Sequence, residues 1–283
     1  MRLNLCGTRG STPAPGEAFL RFGGNTSCVA VAHDDEPVTL LIDAGTGLRR
    51  VTALLGDRPF VGAILLGHLH WDHTQGLPFF RAGDHPQAQV DLYLPEQDGT
   101  AEAVLARGFS PPHFPIGPDG LQGRWRFHDL REGMHRIAGF EVLAREIPHK
   151  GGRTFGYRIS DGRVSIAYLS DHHPASLGDG PQGFGPYHEA ACALASGVDV
   201  LLHDAQYLAS EWPHRGSFGH ATVDYAVGLA EAAGVGRLVL FHHDPGRTDD
   251  QVDALTTQAC AMCAVDVSAA AEGDEIVLPS VDA

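Results

Sequence analysis

The chain has 283 residues, 43% of them hydrophobic and 19% charged, a composition that can bury a sizeable core and that excludes a disordered or fibrous protein. Its 20 basic and 35 acidic residues leave a net charge of -15, and long nucleic acids reward lysine and arginine through counterion release, so the surface is a poor general partner for them. No apolar run approaches the roughly 18 residues of a membrane span.

The elements follow in chain order. Met1–Gly7 holds too few apolar residues for the core of a secretory signal, and a cytoplasmic protein is expected. Short β-branched or leucine-rich runs between glycine-rich turns read as strands at Ser27–Ala32, Val38–Ile42, Val61–Leu66, Val90–Leu94, Phe140–Arg145, Phe155–Ser160 and Val164–Leu169. Two later strands, Val198–Leu202 and Leu238–Phe241, run directly into histidine. Helices are predicted over Thr74–Phe80, Glu102–Arg107, Glu189–Ser196, Thr222–Ala233 and, behind an N-cap at Thr248, Val252–Met262. Gly108–Gly123 and Ser170–Pro186 are long loops, a length that in a compact domain is often functional. The five cysteines, Cys6, Cys28, Cys192, Cys260 and Cys263, make no disulfide framework. Cys260-Ala-Met-Cys263 lacks a second pair for zinc and reads as buried packing in a helix. An early strand-rich half followed by alternating strand and helix suits a layered α/β domain, with one domain expected over residues 1–283.

The chemistry is concentrated in Gly67-His-Leu-His-Trp-Asp-His73. On an extended exit from a strand His68 and His70 project to one side, and Asp72 and His73 fall at the following turn. Imidazole and carboxylate together suit zinc, iron or manganese; four such groups at this spacing after an apolar run weigh against a merely solvated polar loop. One loop cannot close two metal sites, so further ligands are sought at other strand ends, where open α/β sheets place their sites. His149, Asp171 and His242 each stand there; each alone is as well read as a solvated loop residue, and their common placement raises all three.

Together Asp43-Ala-Gly-Thr-Gly47, His68-x-His70-x-Asp72-His73, His149, Asp171 and His242 resemble the metallo-β-lactamase-fold hydrolases, in that order and over residues 1 to about 245. Gly7-Thr-Arg-Gly-Ser11, Gly23-Gly-Asn-Thr-Ser-Cys28, His203-Asp-Ala-Gln206 and Gly219-His-Ala-Thr222 resemble its phosphodiesterase branch, which includes tRNA 3′-end-processing endonucleases and small bacterial cyclic-nucleotide phosphodiesterases. The resemblance implies a four-layer αββα sandwich. It implies one metal on His68, His70 and His149, a second on Asp72, His73 and His242, and Asp171 with a hydroxide bridging them. Zinc is the first expectation and manganese or iron the alternatives. His243 competes with His242, which is preferred because it directly follows the apolar run. His172 and His173 are read as loop residues, Asp43 as support behind the ligands, and Thr8, Arg9, Ser11 and Asn25 as scaffold. His220 is the candidate proton donor, oriented by Asp204, with Asp72 as the third residue of the catalytic set. Two departures from the endonucleases, Asp at 204 rather than Glu and Ala at 221 rather than Ser, leave the His–carboxylate distance open.

Two divalent ions outweigh Asp72, Asp171 and a hydroxide, so the centre favours a small anionic substrate such as a phosphate ester. The leading expectation is therefore a phosphodiesterase for a small or cyclic nucleotide-type diester. A tRNA endonuclease is the second reading, disfavoured by the acidity and by a Gly108–Gly123 segment that has no lysine and is short for an RNA-binding arm. An amide, lactone or thioester hydrolase and a ligand-binding non-enzyme complete the alternatives, and a homodimeric state is left open. Gly108–Gly123 is a candidate lid. In it Phe109, His113 and Phe114 could stack on a base, and packing under the loop is the preferred reading.

Overall fold

The computed structural model describes residues 1–278. Its strands are β1 (Arg2–Gly7), β2 (Cys28–Ala32), β3 (Leu40–Ile42), β4 (Val61–Leu65), β5 (Gln89–Pro95), β6 (Arg124–Leu130), β7 (Gly133–Ile137), β8 (Phe140–Glu146), β9 (Phe155–Ser160), β10 (Ser165–Leu169), β11 (Val200–Asp204), β12 (Arg237–Phe241), β13 (Asp266–Ala269) and β14 (Glu275–Val277). The helices are α1 (Leu48–Leu54), α2 (Trp71–Thr74), α3 (Ala101–Ala106), α4 (Glu189–Ala195), α5 (Trp212–Arg215), α6 (Val223–Ala233) and α7 (Asp249–Met262).

The strands form two seven-stranded sheets, ordered β14-β1-β2-β3-β4-β5-β6 and β13-β12-β11-β10-β9-β8-β7. Each is half antiparallel and half parallel. The parallel runs are β3 to β6 in the first sheet and β10 to β13 in the second. Leu3, Val29, Ile42 and Leu65 of one sheet meet Phe140, Tyr157, Ile166 and Phe241 of the other in a fully buried central layer. The outer face of the first sheet packs on α1 and α3, and that of the second on α4, α6 and α7. This is the expected αββα sandwich. The polar ends of the buried parallel strands meet at one edge, because every parallel strand must deliver its carboxyl end to the same side.

Several local expectations need correction. Thr74–Phe80 is not one helix. The single turn α2 closes at Thr74 and a 3-10 turn follows at Leu77–Phe79. A Cβ on Gly76 would lie 2.0 Å from the Gly45 carbonyl, so the chain is pressed against the Asp43–Gly47 loop and cannot run on as a regular helix. Strands β1, β6, β7, β13 and β14 and helix α1 carry too short or too mixed a pattern to be read from sequence. Cys260 is exposed on α7 and Cys263 half-buried, so the pair is not buried packing. His172 and His173 follow β10 in a loop, yet both are buried. Among the described residues no helix is long and apolar enough to cross a membrane.

The interior also takes in histidine. His203, near the end of β11, is fully buried. Its Nδ1–H donates to the Asp204 carbonyl at 2.6 Å, and its Nε2 accepts from His172 Nδ1–H at 3.0 Å. Burial pushes its pKa down to about 4 despite the neighbouring oxygens. His203 is therefore neutral in the folded chain, whereas the unfolded chain takes up the proton near the ordinary value of about 6.5. Its contribution to stability is complete above that value and falls as pH drops toward about 4, at about 1.4 kcal/mol per pH unit. Urea unfolding of the metal-free protein at pH 7 and pH 5 is expected to show a shallower pH slope for His203→Gln than for the parent; equal slopes would rule out this contribution.

Candidate metal centre

Each candidate ligand is placed by a strand end or the turn after it. Beyond β4 the chain turns at Gly67, presents His68 and His70, and winds into α2, so Asp72 and His73 come to the inner side while Trp71 faces solvent. Asp171 follows β10 and His242 follows β12, both with left-handed backbone, φ 56° and 60°. Asp43, after β3, has φ 60°. Three non-glycine residues in this region at three strand ends mark strain of the kind that collects at functional sites.

The structure brings together two groups whose ligand atoms lie within 4.8 Å of one another: His68, His70, His149 and Asp171; and Asp72, His73, Asp171 and His242. Asp171 is common to both. Its Oδ1 lies 3.7 Å from His68 Nε2 and 3.6 Å from His149 Nε2, and its Oδ2 lies 2.9 Å from His73 Nε2 and 3.2 Å from His242 Nε2. Asp72 Oδ2 is 3.2 Å from both His73 Nε2 and His242 Nε2. His242 rather than His243 faces the cluster; His243 Nε2 donates to the Ala270 carbonyl instead.

The residues fit a pair of divalent ions. The Nε2 atoms of His68 and His73 are buried without a hydrogen-bond partner, and His149 Nε2 and His70 Nδ1 face each other at 3.3 Å. Ring nitrogens converging in this way on two carboxylates suit a shared electrophile. Burial, and then the neighbouring imidazoles, hold His68 far below the ordinary histidine value, and burial brings His149 down to about 4; both are neutral and able to ligate. Burial opposes ionisation of Asp72 and Asp171, but the surrounding histidines outweigh it and hold both carboxyls well below their usual range. At His73 burial is outweighed by Asp171, Asp72 and Asp43, which raise its pKa. The field at the centre thus favours a cation, a proton or a metal ion in its place.

Behind the ligands, fully buried Asp43 accepts from His73 Nδ1–H at 2.7 Å, from Gly67 N–H at 2.7 Å and from Tyr168 O–H at 2.6 Å. Holding the Nδ1 proton turns the Nε2 lone pair of His73 to the centre. His149 is held likewise, donating from Nδ1 to the Gly219 carbonyl at 2.7 Å. The Ser11 backbone N–H donates to Asp72 Oδ2 at 2.7 Å, and the Ser11 hydroxyl accepts from Gln206 Nε2. Gly10 lets this loop approach: a Cβ there would lie 2.5 Å from the His242 ring. Arg9 is fully buried and donates to the carbonyls of Gly23, Asp244 and Arg247. Thr8 donates to the Phe22 carbonyl, and Asn25 pairs with Glu272.

His220 Nδ1 lies 2.9 Å from Asp204 Oδ2, close enough for a direct bond despite the shorter Asp side chain. Asp204 is itself oriented by the backbone N–H groups of His172 and Gln206. Burial pulls the His220 pKa down, but the Asp204 carboxylate outweighs it and the net direction is upward. Asp204, His220 and His242 make a third group within 4.8 Å. A hollow of about 370 Å³ opens over the cluster, lined by Ser11, Leu69, His70, Trp71, Asp72, Asp171 and His220. Sequence reading missed Tyr168, which carries no signal beyond an ordinary strand tyrosine, and gave Gln206 no role although it closes the His203-Asp-Ala-Gln206 motif. It also passed over Trp71, whose large aromatic ring inside a ligand turn was a legible sign.

Residues 39–243 match the model of the beta-lactamase superfamily domain. The chain is 28% identical to the ribonuclease Z of Exiguobacterium sibiricum over 83% of this chain and 88% of that protein. It also resembles the crystal structure of a diphosphatase of the PhnP family, with TM-score 0.73 and 21% identity over 99% of this chain and 98% of that one. The metallo-beta-lactamase fold protein YhfI of Bacillus subtilis superposes with TM-score 0.72 and 17% identity, covering 98% of this chain and 99% of that one. The chain belongs to the beta-lactamase superfamily and has the metallo-β-lactamase fold.

Proposed function

We propose that this chain is a di-metal phosphodiesterase that cleaves a small or cyclic nucleotide-type diester. The observation that carries the reading is the Asp204-held His220 on the wall of the hollow onto which both ligand groups open through His70, Asp72 and Asp171. In this reading His68, His70 and His149 would hold one ion and Asp72, His73 and His242 the other, with Asp171 common to both ligand groups. Zinc suits this donor set first, with manganese or iron as alternatives. When bound, such ions supply Lewis acidity and a water that ionises near neutral pH.

The chain's own groups do the rest. Asp72 and Asp171 offset only part of the charge of two divalent ions, so the centre attracts a phosphate within an acidic protein. Ser11 N–H, Asp43 and the Gly219 carbonyl fix Asp72, His73 and His149, so little reorganisation accompanies the reaction. His220 donates its Nδ1 proton to Asp204, which leaves the Nε2 proton for the departing alkoxide. Asp204 sets the tautomer and stabilises the charged ring. The similarity to ribonuclease Z and to a PhnP-family diphosphatase supports phosphoester chemistry.

The ribonuclease Z relationship also favours a second reading, cleavage at tRNA 3′ ends. Two features weigh against it: the net charge of -15, and a 108–123 segment without lysine that packs on its own chain through Phe109 and Phe114.

Metal-reconstituted protein is expected to hydrolyse bis(p-nitrophenyl) phosphate, and Asp171→Ala to abolish it by disrupting both ligand groups; inactivity with zinc, manganese and iron alike would discard the phosphodiesterase. His220→Ala is expected to slow a diester with an alkyl leaving group by about 10²- to 10⁴-fold. The loss on a p-nitrophenolate leaving group, which needs little protonation, should be far smaller. Equal losses on both would remove His220 as the proton donor.

A further inference from the structure

Trp71 occupies an unusual position. It lies between His70 and Asp72, yet its side chain contributes nothing to the cluster and is 74% exposed. It forms the wall between two hollows. On one side is the hollow over the carboxylates and histidines. On the other is a groove of about 430 Å³ whose walls include Phe79, Phe109, Phe114 and Arg107. Phe114 meets Phe79 edge to face at 5.6 Å and Phe109 at 6.2 Å. Phe109 is buried and anchors the set, whereas Phe79 stays 62% exposed with its ring at the groove. Arg107 stands at the rim, its guanidinium donating to the Asp98 carbonyl, and among the described residues it pairs with no carboxylate.

Two large exposed aromatic rings, a cation and a directly adjoining phosphate-attracting centre are complementary to one kind of molecule. Its phosphate sits at the cluster, and the planar group carried by that phosphate extends past Trp71 between aromatic faces. Arg107, which lines the same groove, carries N–H donors of the kind that ring acceptors take. We infer that the groove bounded by Trp71, Phe79, Phe114 and Arg107 is a base-stacking subsite that selects nucleotidyl over simple alkyl phosphodiesters. The inference rests on the phosphodiesterase reading for the placement of the phosphate; the stacking surface itself does not depend on turnover. Stacking on aromatic side chains tolerates any base, because each has a π-face, and corresponds to roughly five- to hundredfold in affinity per base.

The test is calorimetric binding of AMP and of ribose 5-phosphate to the metal-loaded protein. The two ligands share phosphate and sugar and differ only in the base. AMP is expected to bind at least about fivefold more tightly. In Trp71→Ala and in Phe79→Ala the preference is expected to shrink toward parity, with ribose 5-phosphate affinity retained. Both rings are largely exposed, so their removal takes little from the core, and a thermal melt of each variant verifies folding. Equal affinity of AMP and ribose 5-phosphate in the parent, or a preference that persists in both variants, would overturn the inference. Parallel titration with a 2′,3′-cyclic mononucleotide and with an unprocessed tRNA identifies which source presents the base. Whichever binds must lose affinity in the two variants, and undiminished binding of both also overturns the subsite. An AMP preference in a protein inactive on every diester would sink the phosphodiesterase and leave the subsite standing, so the two failures are distinguishable.

Discussion

The structure depends on the buried carboxylate of Asp43. A fully desolvated carboxylate is tolerable only when its oxygens are hydrogen-bonded, and here the donors come from His73, the Gly67 backbone and Tyr168. Those three groups belong to α2, the turn after β4, and β10 in the opposite sheet. One side chain thus joins the two sheets, fixes the start of the ligand segment and sets the tautomer of a histidine in the centre. Tyr168 is fully buried with its hydroxyl committed to this bond, so the sandwich core and the site share an anchor. The left-handed backbone of Asp43 is the local cost of aiming the carboxylate inward, and the hydrogen bonds offset it.

The same logic extends outward. Asp72 and Asp171 are buried among imidazoles, an arrangement that is favourable around a cation and costly without one. The two parallel halves of the sheets direct β3, β4, β10, β11 and β12 toward the same edge, so residues as distant in sequence as Asp43 and His242 share one centre. The surface is acidic, but the site is not simply a continuation of it: His68, His70, His73, His149, His220 and His242 crowd its floor. The charge of the whole chain therefore bears on extended polyanions that must lie along the surface, and not on the small group that meets the centre itself.

Specificity and chemistry are separated in space by a single residue. Asp72 and His70 face one hollow, and Trp71 between them forms the border with the next. A one-turn helix makes this possible, since adjacent residues project about 100° apart. The segment at 108–123 contributes Phe109 and Phe114 to the aromatic groove and is held by Phe109 in the outer layer of the first sheet, which makes it a wall rather than a free arm.

The sequence by itself determined the α/β layering, nine of the strands and four of the helices. It also determined the ligand-bearing segment, because strand periodicity, N-caps and a dense His/Asp run are local signals carried by neighbouring residues. The single ligands His149, Asp171 and His242 were legible as polar residues at strand ends and gained meaning from the family resemblance. Their convergence was not legible, because it depends on the sheet order and on left-handed turns that no residue type dictates. Only the tertiary structure decided between His242 and His243, which differ in direction and not in composition. It alone buried His172 and His203 in contact, set His220 at hydrogen-bond distance from Asp204, and placed the strand tyrosine Tyr168 against Asp43. It also opened the groove beside Trp71, since a cavity is formed by residues far apart in the chain and has no sequence of its own.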